Sequence, residues 1–160
     1  MRAAAGLGES IGKIIVTRGS AQRGYRAMPG AQSTRVVLAL PGSPHPPDLW
    51  QHGVRVRICQ TRAAIQPRLA GIKHLNRLEN VLARSEWDDP EISEGLMLDT
   101  AGNVVGGTMT NLFIADQNGL STPDLSGSGV AGVTRERVLA AAARSEEHTS
   151  ELQSHVRISY

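Results

Sequence analysis

Apolar and polar positions along this chain repeat with two different periods, and the periods sort it into elements. Val54, Val56 and Ile58 alternate with Arg55 and Arg57, a period of two that predicts a half-buried strand. Ile14-Ile15-Val16 inside Lys13–Thr17, Val36–Leu40, Leu96-Met97-Leu98 and Asn111–Ala115 are short apolar runs rich in strand formers. Leu75, Leu78, Val81 and Leu82 are spaced three, three and one apart, which is a helical stripe and predicts a helix over 74–86. Val138, Leu139 and Ala142 share a face in a second helix that starts at Val133 and runs to Ala143, where alanine favours the helix. Residues 1–12 read as the tail of a helix ending in glycine turns. Arg18–Tyr25 reads as a loop, Pro41–Pro47 as a break, and Asp88–Glu91, Ala101–Asn103 and Asp116–Gly119 as turns. Thr122–Gly129, rich in serine and glycine, reads as a flexible loop, and no internal repeat is evident.

Two stretches carry candidate chemistry. Lys73 stands just before the first helical stripe, beside Gly71 and Ile72. A lysine at a strand-to-helix junction can be held inward and react with an aldehyde as a Schiff-base amine, although a solvated lysine near a helix start is the commoner case. Gly132-Val133-Thr134 opens the second helix. The free N–H groups of a helix start, with a threonine hydroxyl, suit a dianion, and equally suit an ordinary threonine N-cap.

Composition narrows the picture in only a few respects. Seventeen basic against fifteen acidic residues give a net charge of +2, so nothing suggests a nucleic-acid surface. No apolar run approaches the roughly 18 residues of a membrane span. The first residues lack the apolar centre of a signal peptide. The single cysteine, Cys59, cannot form an internal disulfide, which fits a reducing cytoplasm; no histidine or aspartate motif points to it as a nucleophile.

The run from Gly71 to Leu82, GIKHLNRLENVL, resembles the lysine segment of the class IV, D-amino-acid-aminotransferase-like pyridoxal-phosphate enzymes, and within them the aminodeoxychorismate lyase group. The resemblance continues through Ile15–Tyr25, Asn111-Leu-Phe113 and Gly132–Arg135, in the family's order, over roughly residues 4 to 143. It implies a two-domain α/β (α+β) fold with an antiparallel sheet in the larger domain and pyridoxal 5'-phosphate bound between domains. Residues 1–45 would be a remnant of the small N-terminal domain and 46–143 part of the large cofactor-binding one. It implies Lys73 as the catalytic, cofactor-bearing lysine, Val133 and Thr134 as part of a phosphate cup, and Leu120 against the cofactor ring. Arg23 and Tyr25 would bind a substrate carboxylate, for which the planar arginine fork is suited. The expected reaction turns 4-amino-4-deoxychorismate into 4-aminobenzoate and pyruvate, on the route to folate. The partner is a small-molecule substrate, the working enzyme a cytoplasmic homodimer, and neither metal, nucleic acid nor membrane is implied. A branched-chain or D-amino-acid transaminase of the same family, and an inactive fragment, are the alternatives.

One departure stands out. The family has a glutamate five residues before the asparagine of Asn-Leu-Phe, where it keeps the pyridine nitrogen protonated; counting back from Asn111, this chain has Gly106. A misread codon, a damaged copy or a lineage using another partner would each place glycine there, and low activity is expected. Residues 144–160 break from the alanine helix and resemble the translation of a sequencing adapter, so they are set aside from the fold, and His148 and His155 are not counted as ligands. The family also has chain before and after the matching part, including a phosphate-gripping arginine, so the sequence reads as an internal fragment with poor solubility.

Overall fold

In the computed structural model the described residues are 10–42, 46, 48–117, 119–144 and, for the backbone, 149–152. The expected helix tail falls mostly on residues 1–9, which lie outside them, as do residues 43–45 and 47 of the proline break, His148 and His155. The chain divides into two compact units after His52, a few residues beyond the passage at 45–46 that the resemblance implies.

The first unit is a β-hairpin followed by a short helix. Strand β1 (Ser10–Val16) and strand β2 (Arg35–Pro41) pair antiparallel, with Ser10 opposite Pro41 and Val16 opposite Arg35. The expected strands are both present: β1 begins ahead of the expected Lys13 and stops at Val16, short of Thr17, and β2 adds Arg35 and Pro41 at the ends of Val36–Leu40. Within the unit, Ile14 is 70% exposed and Val37 51%, so the ribbon buries little of its own apolar surface. Helix α1 (Asp48–His52) has no counterpart in the sequence pattern; Asp48 lies in its first turn, where a negative charge suits the helix dipole.

The second unit holds two three-stranded sheets and two helices. Strand β3 (Arg55–Ile58) runs parallel to strand β4 (Ile92–Leu98), and β4 runs antiparallel to strand β5 (Val104–Gly107). Strand β6 (Ile114–Asp116) pairs antiparallel with strand β7 (Gly119–Pro123), and β7 pairs parallel with strand β8 (Thr149–Leu152). Both sheets are therefore mixed rather than antiparallel. Two further expectations change. Residues 119–123, read as part turn and part loop, are a strand in which Thr122 is fully buried. Residues 144–160, set aside from the fold in the sequence, include the last residue of helix α3 (Val133–Arg144) and strand β8, which bears on the fold and not on the origin of the tail.

The core of this unit gathers Cys59, Ala63, Ala83, Trp87, Met97, Val105 and Leu125, with Ile92 and Ala131 packed against it. Gly95 of β4 is there because of close approach: a Cβ on it would lie 2.7 Å from the Trp87 ring. Trp87 donates its indole N–H to the Ile92 carbonyl (3.0 Å), and the Arg84 guanidinium covers its ring 4.5 Å from the centroid. The strand expected from the alternation is present as β3, but burial along it does not alternate: Arg55 and Val56 (48%) are exposed, while Arg57 and Ile58 are half-buried, Arg57 lying over Trp87 and donating to the Glu86 carbonyl.

The first helical stripe departs furthest from expectation. Helix α2 covers only Leu78–Arg84, and its buried residue is Ala83. Leu75, Leu78, Val81 and Leu82 are 53–65% exposed. Residues 72–77 are irregular, and Lys73 lies in that stretch. Among the described residues no helix is long and apolar enough to cross a membrane.

Candidate functional site

Lys73 is placed by bonds on both sides of it. Two residues upstream, Gly71 (φ +76°, a conformation that favours glycine) forms a parallel bridge with Val130: its N–H donates to the Gly129 carbonyl (3.1 Å), and its carbonyl accepts from the Ala131 N–H (3.0 Å). Downstream, the His74 N–H donates to the Ile72 carbonyl (3.1 Å), an i→i+2 bond that puts Lys73 at the apex of a γ-turn. The lysine side chain is exposed. His74 beside it has its imidazole pKa pushed down, first by burial and then by the Arg77 charge.

The bridge matters because both chains leave it in the same direction. Lys73 lies two residues beyond Gly71, and Gly132 two residues beyond Val130. Gly132 opens α3: the Glu136 N–H donates to its carbonyl (3.1 Å), which makes Gly132 the N-cap and leaves the N–H groups of Gly132, Val133 and Thr134 without intrahelical acceptors. Val133 is 73% exposed, and Thr134 is exposed too. Thr134 stands inside the first turn and is not the cap, so its hydroxyl is not committed by helix geometry. Arg135, in contrast, is buried and turned back into the fold, donating to Thr122 Oγ1 (3.4 Å) and to the Pro123 carbonyl (3.1 Å). Thr122 in turn donates to the Leu112 carbonyl (2.7 Å).

Asn111 fixes the same segment from the other side. Its Nδ2 donates to the Val130 carbonyl (2.8 Å), and its Oδ1 occupies the space a side chain at position 132 would need. In the sequence Asn111 is legible only as part of a motif; its role is to join the strand region to the helix start.

Upstream of Asn111 lies the turn that follows β5. Gly107 N–H donates to the Thr110 carbonyl (2.9 Å), and Thr108 N–H to the Gly95 carbonyl (3.0 Å). Glu94, buried in β4, collects this turn. Its Oε1 accepts from Gly95 N (2.8 Å), Thr108 N (3.0 Å) and Thr108 Oγ1 (2.6 Å), and its Oε2 from Met109 N (3.3 Å) and Thr110 Oγ1 (3.0 Å). Burial pushes its carboxyl up, but the hydrogen bonds from Thr108, Gly95, Thr110 and Met109 outweigh that and hold it below the usual range. A carboxylate has about four lone-pair sites, so five donors saturate it. Asn80 of α2 adds a bond to the Thr108 carbonyl (2.8 Å), tying the helix after Lys73 to the same turn. The signal in the sequence is a lone acid inside an apolar strand.

Gly106 pairs with Met97 across the sheet. Its φ is +154°, and a Cβ there would lie 2.9 Å from the Thr110 carbonyl oxygen. No carboxylate comes from this position, and Glu94 is fully engaged. Leu120 is half-buried in β7 opposite Ala115. Arg23 and Tyr25 belong to the first unit, in the bends after β1, and both are exposed. The structure thus stitches together the backbones that carry Lys73, Gly132–Thr134 and, through Asn111, the Gly106 turn. An exposed lysine two residues beyond a bridge whose other strand leads to an open helix start suits a phosphate-bearing aldehyde.

The chain is similar to known proteins. The sequence profile of the Amino-transferase class IV family matches residues 3–154. An aminodeoxychorismate lyase of Vibrio harveyi is 42% identical over 133 residues, 82% of this chain and 49% of that protein. The crystal structure of 4-amino-4-deoxychorismate lyase from Pseudomonas aeruginosa superposes with a TM-score of 0.87 at 45% identity, over 93% of this chain and 54% of that one. The branched-chain amino acid aminotransferase from Escherichia coli shares the fold (TM-score 0.73, 24% identity, 94% of this chain and 48% of that one). The chain spans about half the length of these relatives. With the profile covering nearly all of it, this chain belongs to the class IV aminotransferase family.

Proposed function

We propose that this chain is the cofactor-binding portion of a pyridoxal-phosphate-dependent lyase that converts 4-amino-4-deoxychorismate to 4-aminobenzoate and pyruvate. The observation that carries the reading is the Gly71–Val130 bridge, which ties the Lys73 turn to the start of α3. The likeness to the Vibrio and Pseudomonas lyases supports this choice of substrate.

When bound, pyridoxal phosphate supplies an aldehyde that condenses with amines and a ring that takes up electron density. The N–H groups of Gly132, Val133 and Thr134 and the Thr134 hydroxyl hold the phosphate, at the end of α3 where the dipole favours negative charge. Lys73 Nζ would hold the aldehyde end of the cofactor and, when free, would be the base that takes the proton from the substrate ring carbon bearing the amine. Loss of pyruvate then leaves an aromatic ring, whose stability drives the reaction forward. Leu120 would line the cofactor; Arg23 and Tyr25, in the first unit, are the residues that the family resemblance assigns to the substrate carboxylate. The residues present suit the phosphate and aldehyde ends of the cofactor; Gly106 offers no carboxylate for its ring nitrogen, so proton removal would be slow. The working enzyme is a cytoplasmic homodimer, with Cys59 a buried free thiol.

Adding pyridoxal phosphate to the purified chain should give a visible absorbance band that Lys73→Ala abolishes; a band that survives the substitution refutes the assignment. In a protein extended to the length of its relatives, the chain should release pyruvate and 4-aminobenzoate with no keto acid added. A strict requirement for a keto acid would identify a transaminase.

A further inference from the structure

We propose that Arg77 is a positioning residue for Lys73, its guanidinium holding the backbone carbonyls on either side of the lysine so that the amine has one direction of approach. The inference rests on the reading of Lys73 as the cofactor lysine. Arg77 turns its guanidinium to the main chain: Nη2 donates to the Ile72 carbonyl (2.6 Å), while Nε donates to the His74 carbonyl (3.2 Å). Those two carbonyls flank Lys73. The Ile72 carbonyl also closes the γ-turn by accepting from the His74 N–H (3.1 Å), so the same oxygen is held from two directions.

The need for such a grip follows from the local structure. Residues 72–77 belong to no helix or strand, Ile72 is 53% exposed and Leu75 65%, and a γ-turn of one hydrogen bond is weak by itself. Segments with few buried contacts open readily. Gly71 anchors the upstream side through its bridge to residues 129–131, and without Arg77 the downstream side would be free up to α2. A planar guanidinium can reach two acceptors at once in a fixed geometry; an ammonium at the same position is a single point. The covalent step this serves is condensation of Lys73 Nζ with the aldehyde carbon, forming one C=N bond and releasing one water, for which the lone pair must face the aldehyde. Burial pushes the Arg77 guanidinium below its ordinary range, in keeping with a group drawn out of water towards the main chain.

The test uses the full chain with pyridoxal phosphate and the variants Arg77→Lys, Arg77→Ala and Lys73→Ala. Three quantities are read: borohydride-trapped cofactor at Lys73, circular dichroism in the visible band, and hydrogen exchange of the His74 amide without cofactor. Both Arg77 variants should keep the far-UV spectrum and still trap cofactor. Visible dichroism per bound cofactor should fall several-fold in Arg77→Ala and less in Arg77→Lys, and His74 exchange should quicken ~tenfold in Arg77→Ala while the Met97 amide in β4 is unchanged. Unchanged dichroism with unchanged His74 exchange overturns the proposal. Loss of folding in both variants overturns it too, because a clamp on residues 72–77 is local. If the unsubstituted chain traps no cofactor at Lys73, the cofactor reading fails, and the His74 exchange decides the clamp by itself.

Discussion

Replacing Glu94 by glutamine tests whether this carboxylate builds the turn beside Gly106. The side chain accepts five hydrogen bonds while 8% exposed. In Glu94→Gln one oxygen becomes an NH₂ group. Its best orientation keeps the three donors on the Oε1 side and turns the NH₂ towards Met109 N and Thr110 Oγ1. The threonine hydroxyl can rotate to accept; the Met109 N–H cannot and is left unpaired. Losing the charge from the remaining bonds and orphaning one N–H should cost about 2–4 kcal/mol. The pH dependence gives a second, sharper reading. The folded carboxyl is depressed, so its contribution is full above the ordinary glutamate value of about 4.3 and is lost as pH falls below it towards the lower folded value. The amide does not titrate. The gap between parent and variant should therefore be widest near pH 7 and should narrow on acidification. Glu86 and Asp124 are depressed as well, but they are present in both proteins and cancel in the difference. Urea unfolding followed by far-UV dichroism and tryptophan fluorescence at several pH values measures the gap. A cost below about 1 kcal/mol, or a gap constant from pH 7 to 3, would refute the reasoning.

Other substitutions probe neighbouring parts of the same unit. Gly106→Glu restores the family's carboxylate but puts a side chain where the Thr110 carbonyl lies; it should lower the stability of this chain by about 1–3 kcal/mol while raising turnover of the extended enzyme, and no gain in turnover would remove the electron-sink argument. Leu78→Ala, at a position 64% exposed, should change the stability of this chain by less than about 0.5 kcal/mol, whereas Ala83→Leu, at a fully buried one, should cost about 1–3 kcal/mol in the same urea assay. Thr134→Val should weaken binding of pyridoxal phosphate several-fold, measured by titration of the visible band, and leave the unfolding midpoint nearly unchanged, since Thr134 is exposed and does not cap α3.

What was legible in the residues depended on whether the signal was local. The β-branched runs mark β1 and β2, the alanine-rich stretch marks α3, and the glycine and asparagine positions mark the turns between them, because each is decided by nearest neighbours along the chain. The resemblance assigned roles to Lys73 and Thr134, yet periodicity alone did not bring their segments together. Their connection is a bridge between Gly71 and Val130, which are far apart in sequence and have no compositional mark. Strand β7 was hidden for a related reason. Thr122 and Pro123 look like loop residues, and only the Arg135 guanidinium and the Leu112 carbonyl reveal why a threonine can be buried there.

The stripe at 75–82 shows how a correct pattern can still mislead. Spacing reports which residues could share a helical face; it does not say what that face meets. Here α2 turns Ala83 and Asn80 towards the sheet, with Asn80 bonded to Thr108, and leaves the leucines outward. The helix also starts later than the pattern does, at Leu78, because the preceding residues are already committed: Gly71 to its bridge, and Ile72 and His74 to Arg77. A carbonyl that accepts from a guanidinium and closes a γ-turn is bent away from helix geometry, so the stretch holding Lys73 cannot join α2. The irregular backbone that looks like a failure of helix formation is therefore the feature that sets the lysine apart from the helix and beside the start of α3.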